Sequence, residues 1–130
     1  MAFSSTELLG IDVSPLAIAI YKILRGQARR AEPRITYAEL AAQLREGSEA
    51  FEFIYHRSQQ LYAALGEVGK ECRRWRLPSL PALVVRADTR RPGSAYFEGK
   101  CSGIVYKGER ISAWRKELEA IKRTRYPARK

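Results

Sequence analysis

The residues of this chain that could do chemistry are mostly cations and amides at turn and helical spacings. Arg86, Arg90 and Arg91 lie in or beside Asp88-Thr89-Arg90-Arg91-Pro92-Gly93, a run with turn chemistry. Guanidinium groups at the tip of a hairpin reach phosphates or enter a minor groove. A second group is Arg57, Gln59, Tyr62, Lys70 and Arg73, in which Gln59 has the amide geometry to pair two hydrogen bonds with adenine. Arg115, Lys122 and Arg123, with Arg125, form a third, suited to non-specific attraction that weakens as salt rises. Against these readings stand a solvated turn, a solvated helix face and a tail that only confers solubility.

Nothing comparable supports catalysis. The sole histidine, His56, lies between Tyr55 and Arg57, with no carboxylate pattern or metal-ligand spacing, and fits a structural or surface role. Cys101, beside Ser102-Gly103 in a basic neighbourhood, has the setting for a lowered thiol pKa but no identifiable base. Cys72 falls on an apolar helical stripe and belongs to a core. No catalytic residue, metal ion or cofactor is expected, and two cysteines without a second pair fit neither a disulfide framework nor a zinc site.

The elements that must position these groups are mainly helical. In a chain of 130 residues, 45% hydrophobic, one domain with its own core is the simplest reading. A net charge of +10 from 24 Lys and Arg creates a field that favours polyanions. Residues 1 to 24 hold only Glu7, Asp12 and Lys22, so the positive excess lies beyond them. No run approaches the roughly 18 apolar residues of a membrane span, and the amino end lacks the order of a secretory signal. A soluble cytoplasmic protein is expected.

Residues 1–13 read as an amino arm, 14–121 as the core and 122–130 as a basic tail. Ser14-Pro15 marks a helix start, and Leu16 to Leu24 is apolar nearly all round, suiting a buried helix or a homodimer contact; Gly26 would stop it. Thr36 and Glu39 form a capping box, with Ile35 and Leu40 as staple, for a helix to about Leu44. Residues 45–55 fit alternation and helical periodicity equally. From about Ser58 to before Pro78, Leu61, Ala64, Leu65, Val68, Cys72 and Trp75 define one apolar stripe. Gln59, Tyr62, Gly66, Gly69 and Arg73 define a second, which a neighbouring helix or a nucleic-acid backbone could approach. Leu83-Val84-Val85 and Ala95-Tyr96-Phe97 read as the two strands of a hairpin. Ile104-Val105-Tyr106 suggests another short strand. A last helix opens at Ser112 and packs through Trp114, Leu118 and Ile121.

Ile35-Thr36-Tyr37-Ala38-Glu39-Leu40-Ala41 resembles the Thr-Tyr-Gly-Glu-Leu-Ala start of the helix-turn-helix in alkyltransferase-like DNA-repair proteins. In that family a second helix reads DNA, a loop leads to a Pro-Cys-His-Arg-Val-Val motif, and a Gly-Tyr segment precedes a closing helix. Ala63-Ala64-Leu65-Gly66 resembles part of the second helix, Pro81-Ala82-Leu83-Val84-Val85 stands at the reactive strand, and Ser112 to Leu118 resembles the closing helix. The reactive cysteine and its histidine are both missing, which removes alkyl transfer. Gln59 takes the place of the arginine that enters the base stack, and residues 46–57 lengthen the turn between the two helices. Leu-Pro-x-Leu-Pro-Ala-Leu-Val-Val with Arg-Pro-Gly-Ser also resembles small uncharacterised bacterial or phage proteins.

The resulting expectation is an α+β, mostly helical, winged-helix-like domain with a small β-hairpin. It would bind nucleic acid, DNA ahead of RNA, without catalysis, as a regulator or an accessory in phage, mobile-element or defence biology. The alternative is a protein–protein interaction module that uses the basic surface and the apolar first helix.

Overall fold

A computed structural model describes residues 14–99 and 108–127. The expected amino arm, the Ile104–Tyr106 strand and Cys101 lie outside the described residues.

The first helix, α1 (Pro15–Gln27), starts where its cap predicts: Ser14 Oγ accepts from the Ala17 N–H at 3.2 Å, with proline in the first turn. It runs one residue past Gly26, which is exposed with open space beside it. Leu16, Ala17, Ile20, Tyr21, Leu24 and Gln27 are buried, whereas Ile18, Ala19 and Ile23 are half-buried. The all-round apolar character thus resolves into a core face and a partly covered flank. The start of α1 is tied to a distant helix, since Ser14 donates to the Glu67 carboxylate from its backbone N–H (3.2 Å) and its hydroxyl (2.7 Å).

Strand β1 (Ile35–Thr36) feeds directly into α2 (Tyr37–Gly47). The predicted capping box is complete: Thr36 Oγ1 accepts from the Glu39 N–H and Glu39 accepts from the Thr36 N–H, each at 3.0 Å. Continuing past Leu44, α2 stops at Gly47, and Ser48 then caps a single 3₁₀ turn, Glu49–Phe51. The ambiguous segment thus begins as the last turn of α2, and from Ser48 to Tyr55 it is neither strand nor α-helix. Arg45 holds it back on α2, donating to the Ile54 carbonyl at 2.6 Å and lying 4.9 Å from the Tyr55 ring centroid.

The long helix α3 (Gln59–Arg74) buries Leu61, Ala64, Leu65, Val68 and Cys72 as its periodicity requires. Gly66 and Gly69 are buried too, so the second stripe is interrupted by packing and is no continuous open face. Two glycines in a helix interior cost roughly 1 kcal/mol each relative to alanine. At its end the Leu77 N–H bonds the Cys72 carbonyl (2.8 Å) and the Arg76 N–H bonds the Arg73 carbonyl (2.9 Å). That is a Schellman closure with a left-handed residue, Arg76 at φ 57°, in the position glycine usually fills.

A buried 3₁₀ turn, Leu80–Leu83, leads into β2 (Val84–Val85). The expected hairpin is corrected here. β2 pairs in parallel with β1, Ile35 opposite Val84 and Thr36 opposite Val85, and Ser94–Phe97 is a helical turn. Arg86 and Arg91 exchange one bond that starts a return (Arg86 N to Arg91 O, 2.9 Å), but Pro92 has no N–H with which to continue a ladder. The chain instead buries Pro92, Tyr96 and Phe97.

The closing helix α4 (Arg110–Lys122) starts two residues before Ser112, burying Trp114 and Ile121 with Leu118 half-buried. Three bonds fasten this end of the chain to the turn after α3. Trp114 Nε1 donates to the Ala82 carbonyl at 2.8 Å, Ser79 N to Glu117 at 2.8 Å, and the Tyr126 hydroxyl to the Pro78 carbonyl at 2.7 Å. Residues 124–127 are consequently no free basic tail: Tyr126 is buried, and Tyr21 and Arg25 of α1 bond the carbonyls of Pro127 and Tyr126. Among the described residues the molecule is a mostly helical α+β structure of four helices with one two-stranded sheet.

Candidate nucleic-acid interface

The start of α3 has the electrostatics of an anion site. Ser58 stands at the cap position, yet its hydroxyl accepts from the Tyr55 N–H at 2.8 Å and makes no bond to the helix. No acidic residue occupies the first turn. The leading N–H groups of α3 therefore carry their partial positive charge, about half an elementary charge for a helix terminus, uncompensated. Arg57 stands exposed immediately before it and makes no side-chain bond among the described residues.

The segment leading into α3, with Tyr62 of the helix, forms one wall of a cleft of about 620 Å³, lined there by His56, Arg57 and Tyr62 and on the other side by Arg86, Ala87 and Asp88. Its floor is aromatic and braced. Tyr37 and Tyr62 meet edge to face with ring centroids 5.7 Å apart. The Tyr62 hydroxyl donates to the His56 carbonyl at 3.0 Å, and Tyr37 oxygen accepts from the Gly93 N–H at 3.4 Å. The sheet ties the floor to the far wall, because β1 leads into Tyr37 while β2 leads into Arg86.

The 86–91 loop is a compact turn closed by Arg90 N bonding Arg86 O at 2.9 Å, with Arg90 left-handed at φ 57°. Its arginines are not equivalent. Arg86 forks onto Asp88 at 3.1 and 2.9 Å, and this partner holds the Asp88 carboxyl below the usual carboxylate range. Arg90 reaches Glu32 at 3.3 Å, a carboxyl itself kept low chiefly by its hydrogen bond with Arg34. The Arg91 side chain is exposed and has no partner among the described residues. Exposed pairs of this kind are worth about 0–1 kcal/mol, so an incoming phosphate can displace them.

Arg57, Tyr62 and Arg86 are thus brought together at one cleft, with Gln59 exposed in the first turn of α3 and Arg90 and Arg91 on the loop that makes the far wall. Lys70 and Arg73 are exposed on α3 beyond the buried Gly66 and Gly69 and do not line the cleft. Arg115 and Arg123 border a separate shallow groove on α4 with Lys116 and Glu119. Lys122 belongs to a third hollow, with Arg25, Arg29, Arg30 and Arg125.

Tyr37 and His56 were not among the sequence candidates for the interface. Tyr37 carries a signal in retrospect, as the first residue after a capping box at the end of a strand; His56 carries none. Cys72 is buried, and burial pushes its thiol up to about 12, which suits a core residue and not a nucleophile. No protein-family model, curated protein or solved structure matches this chain.

Proposed function

We propose that this chain is a non-enzymatic nucleic-acid-binding protein that takes duplex DNA at the cleft between the start of α3 and the 86–91 loop. The observation that carries the reading is the uncapped, acid-free N-terminus of α3 with Arg57 on one wall and Arg86 on the other. Guanidinium groups on both walls of one cleft, beside a helix start that carries partial positive charge, suit phosphate. The net charge of +10 supplies the long-range attraction. The order of parts, a capped helix, a second helix, a proline-containing turn and a closing helix, is compatible with a winged-helix-like scaffold of the alkyltransferase-like kind without its reactive pair. Arg91 serves the role a wing would have, from a compact turn instead of a hairpin. A regulator or an accessory of phage, mobile-element or defence systems, acting in the cytoplasm, is the biological setting we infer.

Duplex DNA and duplex RNA affinity across a salt series tests this. Replacing Arg57, Arg86 and Arg91 together with alanine should weaken DNA binding by about tenfold or more and flatten the salt dependence by about one unit for each phosphate left without its arginine. Absence of binding by either nucleic acid at low salt, or an unchanged affinity and slope in the variant, would overturn the reading. RNA bound more tightly than DNA would reassign the substrate class.

A second reading, a protein-interaction module, is favoured by one feature: Ala19 and Ile23 of α1 meet Leu44 and Phe51 in a groove of about 390 Å³, with Phe53 exposed at 52%. A DNA-independent dimer, measured by sedimentation, that is lost on I23E would support it.

A further inference from the structure

A second hollow, which shares no lining residue with the cleft, lies between the ends of α1 and α4. It encloses about 760 Å³ and is lined by Arg25, Arg29, Arg30, Lys122 and Arg125, with no carboxylate among its lining residues. Cations at the end of a helix offset its dipole, but two helix ends supply only about one negative charge between them. Five cationic side chains exceed that several-fold. The nearest acid in sequence, Glu32, is already held by Arg34 and Arg90, and Glu119 pairs with Lys122 at 3.6 Å from outside the hollow.

The base of the hollow is built and rigid. Arg25 is half-buried and donates through Nε to the Tyr126 carbonyl at 2.9 Å, which fixes its guanidinium while leaving both terminal nitrogens without a partner among the described residues. Tyr126 is locked in turn by its hydroxyl on Pro78. Arg29, Arg30 and Arg125 are exposed around this base and make no side-chain hydrogen bond or ion pair among the described residues. Cations crowded at this density repel one another, so an anion that bridges them is stabilising.

We propose that this hollow is a second anion site, distinct from the duplex cleft, that takes a compact ligand with several adjacent phosphate groups, of the inorganic or nucleoside polyphosphate class. Its volume falls in the range of small-molecule sites, about 300–1,000 Å³. An anchored arginine at the base and exposed cations at the rim match phosphate oxygens presented close together. An extended backbone would instead be served by a ridge or a stripe of charge.

The test is calorimetric titration of the full chain with inorganic tripolyphosphate, sulfate and orthophosphate at physiological ionic strength, where charges more than about 8 Å apart are largely screened. Three proteins are compared: the unaltered chain, R29A/R30A/R125A, which leaves the Arg25 anchor intact, and R57A/R86A. Tripolyphosphate should bind one to one and at least about tenfold more tightly than sulfate. R29A/R30A/R125A should lose at least about tenfold of that affinity and lose less duplex DNA affinity than R57A/R86A, while R57A/R86A keeps its tripolyphosphate affinity within about twofold. Tripolyphosphate binding no tighter than sulfate would overturn the proposal. So would equal losses in both variants, which would mean a diffuse field, or a matching loss of DNA affinity in R29A/R30A/R125A, which would make the nucleic-acid backbone the occupant. The cleft stands or falls separately, on whether R57A/R86A weakens duplex binding.

Discussion

At the scale of single residues, Thr36 does more than begin a helix. Its hydroxyl accepts the Glu39 N–H and its own N–H donates to the Glu39 carboxylate, and it sits where β1 becomes α2, one residue before the Tyr37 that floors the cleft. Those bonds, led by the Thr36 N–H, hold the Glu39 carboxyl below its ordinary value of 4.5. A carboxyl whose folded pKa is depressed contributes stability above that ordinary value and loses it as pH falls through the folded one. Thr36→Ala removes the cap and should cost about 1 kcal/mol, a fall of roughly 4 °C in Tm for a chain of this size. The Thr36 N–H, the chief partner of the Glu39 carboxylate, survives in Thr36→Ala, so most of the difference between the two proteins should persist as pH drops below 4.5, checked by thermal unfolding at neutral and acid pH. A difference that vanishes at acid pH would mean that the cap works mainly through the ionised carboxylate.

Elements were legible where the signal is local. The Ser14-Pro15 start, the Thr36/Glu39 box, the apolar stripe from Leu61 to Cys72 and the stop before Pro78 all appear in the sequence because each is decided within a turn or two of chain. The pairing of β1 with β2 is decided otherwise, by two-residue strands nearly fifty residues apart that only packing brings together, and a hairpin was the local reading of the same residues. The burial of Gly66 and Gly69 was equally invisible, because a glycine stripe describes close approach without saying what approaches. The cleft was half legible: Arg57, Tyr62 and Arg86 were candidates, but their meeting depends on that sheet. Left-handed arginines gave no warning either, since glycine is the residue expected at such positions. Arg76 therefore offers a clear test at this scale. It is exposed, its side chain has no partner among the described residues, and its φ of 57° is one that side-chain-bearing residues adopt at a cost of roughly 1 kcal/mol. Arg76→Gly should stabilise the protein by about that amount with the α3 terminus unchanged, measured by urea unfolding. Destabilisation would show that the Arg76 side chain holds the α3 terminus in place.

Across the whole molecule, the carboxyl end closes the fold around a set of buried acidic protons. Tyr21 of α1, Cys72 of α3 and Tyr126 of the closing segment influence one another electrostatically, and burial raises the pKa of all three. Their ordinary values are 10.0 for the tyrosines and 9.0 for the cysteine, which rises to about 12. The unfolded chain releases these protons first, so the stability they contribute is complete below about pH 9 and is lost as pH rises toward 12 and beyond. Raising the pH also neutralises lysines in a chain of net charge +10 and relieves self-repulsion, which acts in the opposite direction. Tyr126→Phe separates the two effects, because it keeps the ring and the lysines and removes one buried proton. The variant should be less stable near neutrality by about 1–3 kcal/mol, since the Pro78 carbonyl loses its donor. That deficit should narrow as pH rises through 10, where only the unaltered chain pays for keeping the Tyr126 hydroxyl protonated. Denaturant unfolding of both proteins at pH 8 and pH 10.5 reads this directly, and a constant gap would mean that Tyr126 is not buried as a neutral hydroxyl at the seam between α1, α3 and the end of α4.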